Sequence, residues 1–398
     1  MFTKTTQYLL SLAVLSGTAI ADQAAFDQLS QDAKDQTVYF HAWGGADSIN
    51  QYIQWAADEV ESRYGVTVEH VKIDDAAAVV SRLLVEKQAD KSEGGDVDLM
   101  WVNGENFHTL QREGLLADGW THKLPNMQFT DPDDLSLSFD FGVKVEQQEA
   151  PWGRAQLVFF ADPTATPDLP TSAAELLAYA EANPGRVSYP RPPQFHGTTF
   201  LKQMLSELID DRSVLNQPAD TVDAAAITAP LWGYLDQLHP HLWQQADSFP
   251  QDAGAMLQML DDGVLDIALS FNPSEASQAI ADGRLNPDVR SYVHSAGTIG
   301  NTHFVAIPFN ANAPEGAKVF ANFLMSPEAQ ARKADPNVWG DPTVLDIERL
   351  SAEDQARFAA LEQGVATLSP AELGRPLPEP HPSWVPVLER LWAERYQP

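Results

Sequence analysis

The 398-residue chain contains no cysteine. Disulfides, thiolate metal sites, a cysteine nucleophile and a cysteine-borne lipid anchor are excluded with it. Positive charge is scarce as well: 25 Lys and Arg against 56 Asp and Glu leave a formal net charge of −31. Such a chain repels phosphate backbones and anionic lipid, so neither nucleic acid nor a membrane surface is expected as a partner. The plainer meaning of the same charge is solubility. Long apolar runs are missing apart from one near the start. In MFTKTTQYLLSLAVLSGTAIA, Lys4 precedes an apolar stretch from Leu9 to Leu15, and Ala19-Ile20-Ala21 gives a small-x-small end. This is the layout of a secretory signal peptide over residues 1–21, cut before Asp22, and its apolar part is too short to span a bilayer. A periplasmic protein is expected. Enzyme signatures are absent too, with no Walker loop, G-x-S-x-G elbow or H-E-x-x-H helix. No catalytic residue and no cofactor are expected.

What is present is an alternation of strand and helix signals. Val38 to Trp43 is an apolar strand ending at Gly44-Gly45. Asp47 opens a helix in which Ile49, Tyr52, Ile53, Ala56, Val60 and Tyr64 keep helical spacing, and Gly65 closes it. A strand from Val66 to Ile73, a helix from Asp74-Asp75 to about Lys91 and a strand from Val97 to Val102 follow. That order predicts a mostly parallel sheet covered on both faces. The pattern returns downstream with a strand over Ala155 to Phe160 and the capped helix PTSAAELLAYAEANPG. A short strand over Arg186 to Tyr189, the connector PRPPQFHGTT and a helix to about Ile209 come next. A helix near Asp252 to Leu260, the strand Leu265 to Phe271 and a helix after Pro273 complete the series. The length exceeds what one core usually supports, so two lobes of similar α/β construction are expected.

In open α/β sheets, ligands lie beyond the carboxyl ends of strands, where helix N-termini point free N–H groups into the crevice. AWGG after the first strand and NGEN after the third fall on that rim. Trp43, Gly44, Gly45, Asn103, Gly104, Glu105 and Asn106 are therefore ligand-binding candidates. Glu105 and His108 stand one helical turn apart, a spacing open to an acid beside a base. A first-turn carboxylate suited to the helix dipole and a surface histidine explain it more simply, with ligand contact next. Trp152 and Trp232 join Trp43 as aromatic faces for a flat or cationic ligand, with core packing as the competing explanation for each. In PRPPQFHGTT, Arg191, His196, Gly197 and Thr198 set a cation, free N–H groups and a hydroxyl before a helix. That is either an anion or carbonyl site or a capped, proline-rich connector. Asn272 stands at the carboxyl end of a later strand. His239-Pro240-His241 has no third ligand nearby, so no metal is expected.

One run carries a resemblance. GNTHFVAIPFNANAPEGAKVFANFLMSPEAQ, residues 300 to 330, resembles the return segment of bacterial solute-binding proteins that feed ABC importers. AWGG, DLMWVNGENF, APWGRAQL, YPRPPQFHGT, SFNP and ADPNVWGDP are similar to one branch of that family, a relative of the thiamine and polyamine binders. The resemblance implies the type II periplasmic-binding-protein fold: two α/β lobes, a hinge of two or three crossing segments and one central ligand cleft. The first lobe would take 36–150 and 300–345, the second 151–299, and residues 346–398 could join the second. It further implies a monomer that captures a small polar solute, with cationic and heterocyclic, thiamine-like compounds in view. The solute would pass to an inner-membrane ABC permease and its ATPase. An enzyme on the same two-lobed fold, a transferase or lyase, is the alternative.

Overall fold

A computed structural model describes residues 24–102 and 104–397; the signal peptide expected over residues 1–21 and the candidate Asn103 lie outside the described residues. After a helix over 24–32 (α1) come β1 (Thr37–Trp43), α2 (Asp47–Tyr64), β2 (Thr67–Ile73), α3 (Ala76–Gln88), β3 (Leu99–Val102) and α4 (Gly104–Arg112). A hairpin of β4 (Phe139–Asp140) and β5 (Val143–Lys144) leads to β6 (Glu149–Gln156) and β7 (Val158–Ala161). Then follow α5 (Ala173–Ala182), α6 (Phe195–Leu208), α7 (Ala224–Leu238), α8 (Ala253–Asp261), β8 (Ile267–Ser270), α9 (Glu275–Ala281) and β9 (Arg290–Tyr292). The chain closes with β10 (Gly300–Ala306), α10 (Pro314–Leu324), α11 (Pro327–Ala334), α12 (Ala352–Ala359), α13 (Pro370–Leu373) and α14 (Trp384–Tyr396).

The first sheet has the order β2-β1-β3-β10-β6, with β1 parallel to β2 and β3, and β10 antiparallel to β3 and β6. Successive residues of a strand point to opposite faces. Leu99 and Val305 accordingly join one core with α2 and α10, while Met100, Val102, Phe304 and Ala306 join another with α3 and α4. Asp75 caps α3 by accepting from the Ala77 N–H, and Gly65 ends α2 at φ 67°. The second sheet, β8-β7-β9, is small and wholly antiparallel. Its core holds Phe159, Phe160, Phe200, Leu201, Leu235 and Leu269, covered by α5 to α9. Trp384, Leu388 and Trp392 of α14 belong to this second core, whereas α12 packs on α11 beside the first.

Three expectations about elements are corrected. The strand expected over Ala155 to Phe160 is two strands that break at Leu157, one in each sheet. No strand forms over Arg186 to Tyr189: the Arg186 and Val187 carbonyls accept from the isolated N–H groups of Asp266 and Trp243 instead of joining a ladder. The second sheet is antiparallel and not mostly parallel, a difference that hydrophobic periodicity could not show, since it reports which face is buried and is silent on strand direction. The break at Leu157 positions everything else. There the chain crosses between the sheets, with Leu157 N–H donating to Ile299 O at 2.8 Å. The return crossing enters β10, and a third segment lies alongside it, Leu377 N–H donating to Thr298 O at 2.8 Å and Leu377 O accepting from Gly300 N–H at 3.0 Å. A Cβ on Gly300 would sit 2.7 Å from Pro376 Cβ and 2.8 Å from Ala155 O, so the crossing admits no side chain there.

Trp152, expected at the cleft, is fully buried in the first core. Its ring lies 4.8 Å from Trp101, 5.3 Å from Trp339 and 5.7 Å from Phe40, centroid to centroid. β6 places it on the inner face of the sheet, where α2 and the Trp339 loop close over it. Trp152→Ala is expected to lower the stability of the protein by about 3–5 kcal/mol, as the loss of a buried indole does. The check is the urea midpoint at an unchanged m-value.

Candidate functional site

Two rims face each other across the crossings. On the first, β1 ends in Trp43, whose side chain is 41% exposed. Gly44 packs against the Lys72 stem and Gly45 against the Trp43 ring. β3 runs into α4, whose first residue, Gly104, has φ +58°. A Cβ on Gly104 would lie 2.5 Å from the Phe141 ring, so the strand-to-helix turn needs glycine twice over, for its φ and for its neighbour. The Gly104 N–H donates to Asp140 Oδ2 at 2.6 Å. Burial pushes the Asp140 carboxyl well above the usual carboxylate range, and the Gly104 hydrogen bond pulls against that shift. The β4–β5 hairpin is thereby tied to the start of α4.

Glu105 follows in the first turn of α4, with Asn106 half-buried beside it. The Glu105 side chain keeps contact with solvent, yet burial raises its pKa, and the charge of Glu389 raises it further. Among the described residues, none is hydrogen-bonded to the Glu105 carboxylate.

On the facing rim, the first residues of α6 carry the PRPPQFHGTT candidates. Gln194 caps the helix, its Oε1 accepting from His196 N–H at 2.7 Å and from Gly197 N–H at 3.2 Å. The cap takes up N–H groups that the anion-site alternative requires free, so the connector explanation prevails for this turn. Gly197 lets α6 press against the Pro190 carbonyl. The Thr198 hydroxyl donates to Glu389 Oε1 of α14 at 2.8 Å. Arg191 is exposed. Asn272 is spent locally, Oδ1 accepting from Ser274 N–H at 3.0 Å ahead of α9. Trp232 is a correction: it packs on the second core, and its indole N–H donates to Thr228 Oγ1 of the same helix at 3.0 Å. Helical periodicity turns it toward α14 rather than toward the rim.

Several rim residues were not among the sequence candidates. Lys202 of α6 is 2% exposed, and its Nζ donates to Glu379 Oε2 at 2.6 Å. That Nζ lies 5.1 Å from the Phe141 ring centroid, so α6 and the β4–β5 hairpin meet. It also lies 5.9 Å from the Phe195 ring, which is 42% exposed. Phe195, Thr198 and Lys202 stand at i, i+3 and i+7, one stripe of a helix. That spacing, with a lysine inside an otherwise apolar stripe, is the signal that could have found them. Glu379 and Glu389 offer none, since both reach the site from the C-terminal segment by tertiary packing. His108 and His381 also meet here, ring centroids 5.4 Å apart, both held below the usual histidine pKa by burial.

Carboxylates, one buried lysine and aromatic faces thus come together where the two rims meet. Residues 55–357 match the family described as bacterial extracellular solute-binding protein. The chain belongs to that family. It is 45% identical over 386 residues to protein YnjB of Escherichia coli strain K12, covering 97% of each chain. The fold is shared with a putative spermidine/putrescine ABC transporter protein of Listeria monocytogenes, at TM-score 0.60 and 17% identity over 91% of this chain and 98% of that one. It is shared equally with the periplasmic binding protein AfuA of Actinobacillus pleuropneumoniae, with fructose-6-phosphate bound, at TM-score 0.61 and 14% identity over 92% and 99%. The architecture is thus the two-lobed periplasmic-binding type. The family is one of binding proteins, and the enzyme alternative falls away.

Acid should loosen the α6 turn. Burial pushes the His196 imidazole down from 6.5 to about 4. Below pH 6.5 the unfolded chain takes up a proton that the folded state refuses, so stability falls as pH falls from 6.5 toward 4. His196→Gln is expected to remove up to about 3 kcal/mol of that acid sensitivity. Urea midpoints of both proteins across this pH range measure it.

Proposed function

We propose that the cleft between the two rims captures a small cationic solute, with heterocyclic, thiamine-like compounds among the candidates. The observation that carries this is the pairing of charges. Lys202 is engaged by Glu379, while Glu105, to which no described residue is hydrogen-bonded, feels the negative charge of Glu389 from the other rim. A ligand cation between them would relieve that repulsion, and the exposed faces of Trp43 and Phe195 suit a flat or cationic group. The structural neighbours named above, which run from a spermidine/putrescine transporter protein to one with fructose-6-phosphate bound, do not choose among ligands. The charge at the rim supports a cation.

The lobes proposed are 36–150 with 300–345, and 151–299 with α14. NGEN would then hold the solute through Gly104, Glu105 and Asn106, with Asn103 between them and β3. Family membership supports delivery of the solute, in the periplasm, to an inner-membrane permease driven by its ATPase. The signal-peptide layout of residues 1–21 supports that location.

A charge-assisted hydrogen bond contributes about 1.5–3 kcal/mol, so Glu105→Gln should weaken binding of a cation roughly tenfold to a hundredfold. Stability should move the other way. A carboxyl whose folded pKa is raised costs stability once the pH exceeds that pKa, so Glu105→Gln is expected to melt higher than the wild type at neutral pH and equally below pH 4.5. Thermal shift and calorimetry with thiamine, putrescine and spermidine, against glucose phosphate as the anionic control, test both. Stabilisation by the anion and by none of the cations overturns the proposal.

A further inference from the structure

The surroundings of the Lys202 ammonium have the chemistry of an amine-binding box. Glu379 takes one hydrogen bond from Nζ at 2.6 Å, and its other oxygen accepts from Asn301 Nδ2 of β10 at 3.2 Å. Two aromatic rings flank the charge, Phe141 at 5.1 Å and Phe195 at 5.9 Å. Carboxylate at one end and ring faces at the sides are how proteins recognise ammonium groups. The lysine and Glu379 side chains are only 3% and 1% exposed. An ammonium has three N–H donors, and among the described residues Glu379 is the one hydrogen-bond acceptor that Nζ has. A buried ion pair used only as a staple gains little over apolar residues of the same volume. This one stands beside Glu105 and Glu389, both of whose pKa values it lowers, with the half-exposed Phe195 ring at its mouth.

We infer that Lys202 is a tethered ammonium that occupies an amine site of the cleft, and so fixes which cations the protein accepts. With Nζ on Glu379, a ligand can reach Glu105 and Glu389 but cannot set an amine against Glu379. Linear diamines, which need a second carboxylate at a distance, are thereby disfavoured against compact monocations. This rests on the proposal that the cleft takes a cation.

The test is Lys202→Ala with small amines added. The truncation leaves a charged Glu379 in an empty box, so the variant is expected to melt well below the wild type. Millimolar n-propylammonium chloride should raise the variant's melting temperature by mass action and leave the wild type unchanged, while n-propanol and potassium chloride do nothing. Putrescine should bind Lys202→Ala roughly tenfold or more tighter than it binds the wild type. If Lys202→Ala does not fold unaided, the readout becomes its refolding yield with and without the amine. Lys202→Ala combined with Glu379→Gln removes the charge of the box and should abolish the amine response. No response to amine in either melting or refolding, or an equal response in the double variant, overturns the inference. Rescue by amine in a protein whose wild type binds no cation would uphold the box and sink the proposed function. Cation binding by the wild type with no amine rescue would do the reverse.

Discussion

The constraint on which the molecule depends is the crossing at Gln156 and Leu157. Three extended segments lie side by side there, and Gly300 is pressed between Pro376 and Ala155 with no room for a Cβ. The side chain of Gln156 adds to the clamp, its Nε2 donating to Thr298 Oγ1 at 3.1 Å and to the Leu373 carbonyl at 3.1 Å. Because the Gln156–Leu157 and Ile299–Gly300 segments each pass from one sheet to the other, with the Leu377 segment bridged to the second of them, the crossing fixes where the two rims face. β3 with α4 and the first turns of α6 are far apart in sequence. They meet because β6 and β10, on either side of the crossing, belong to one sheet while β7 belongs to the other.

Given that geometry, the rims are electrostatically unbalanced. The first brings Glu105, the second Glu389, and the nearest cation, Lys202, is already held by Glu379. Burial makes each uncompensated carboxylate costlier than it would be in water. A fold selected for stability alone would neutralise them, and local departures from consistent design tend to mark functional positions. The same argument does not extend to the buried Lys333–Asp341–His303 group in the first core. There each charge has partners, His303 Nε2 lying 3.0 Å from the Asp341 carboxylate. Satisfied buried charge reads as architecture, and Glu105, to which no described residue is hydrogen-bonded, is instead the mark of a candidate binding surface.

How much of this was legible in the sequence follows from the kind of signal each feature leaves. β1 to β3 with α2 and α3 were plain, since each buries one face and shows the period of its element. The caps at Asp75 and Gly65 were plain for the same local reason. The rim position of NGEN followed from the strand-then-helix grammar alone, and the structure does set Gly104 and Glu105 opposite α6. Trp152 and Trp232 misled because a tryptophan next to a glycine or in an amphipathic helix has the same local pattern whether it faces a cleft or a core. The antiparallel second sheet was invisible, strand direction being set by connections rather than composition. Glu379 and Glu389 were invisible too. Their place comes from α14 docking on α6, which places residues nearly 200 positions apart side by side, Thr198 bonding Glu389 across 191 positions.

The hairpin of β4 and β5 connects these points to the mechanics of capture. Asp140 anchors it to α4, and Phe141 carries its only described cation contact, under the Lys202 ammonium of the other rim. Drawing the rims apart about the crossing would leave the Asp140 and Glu379 bonds intact, since each joins groups on its own side or at the crossing itself. It would break the Phe141–Lys202 contact and the edge-to-face His108–His381 contact, a loss of roughly 0.5–2 kcal/mol for the first of them. Other contacts join the two sides as well, among them Ser274 Oγ donating to Gly340 O at 2.9 Å, so the cost of opening is a sum of several such terms. Under the proposed function, a solute cation held by both Glu105 and Glu389 would add interaction only when the rims are together. Its binding energy would then fall on the closed form, and the ligand would select closure.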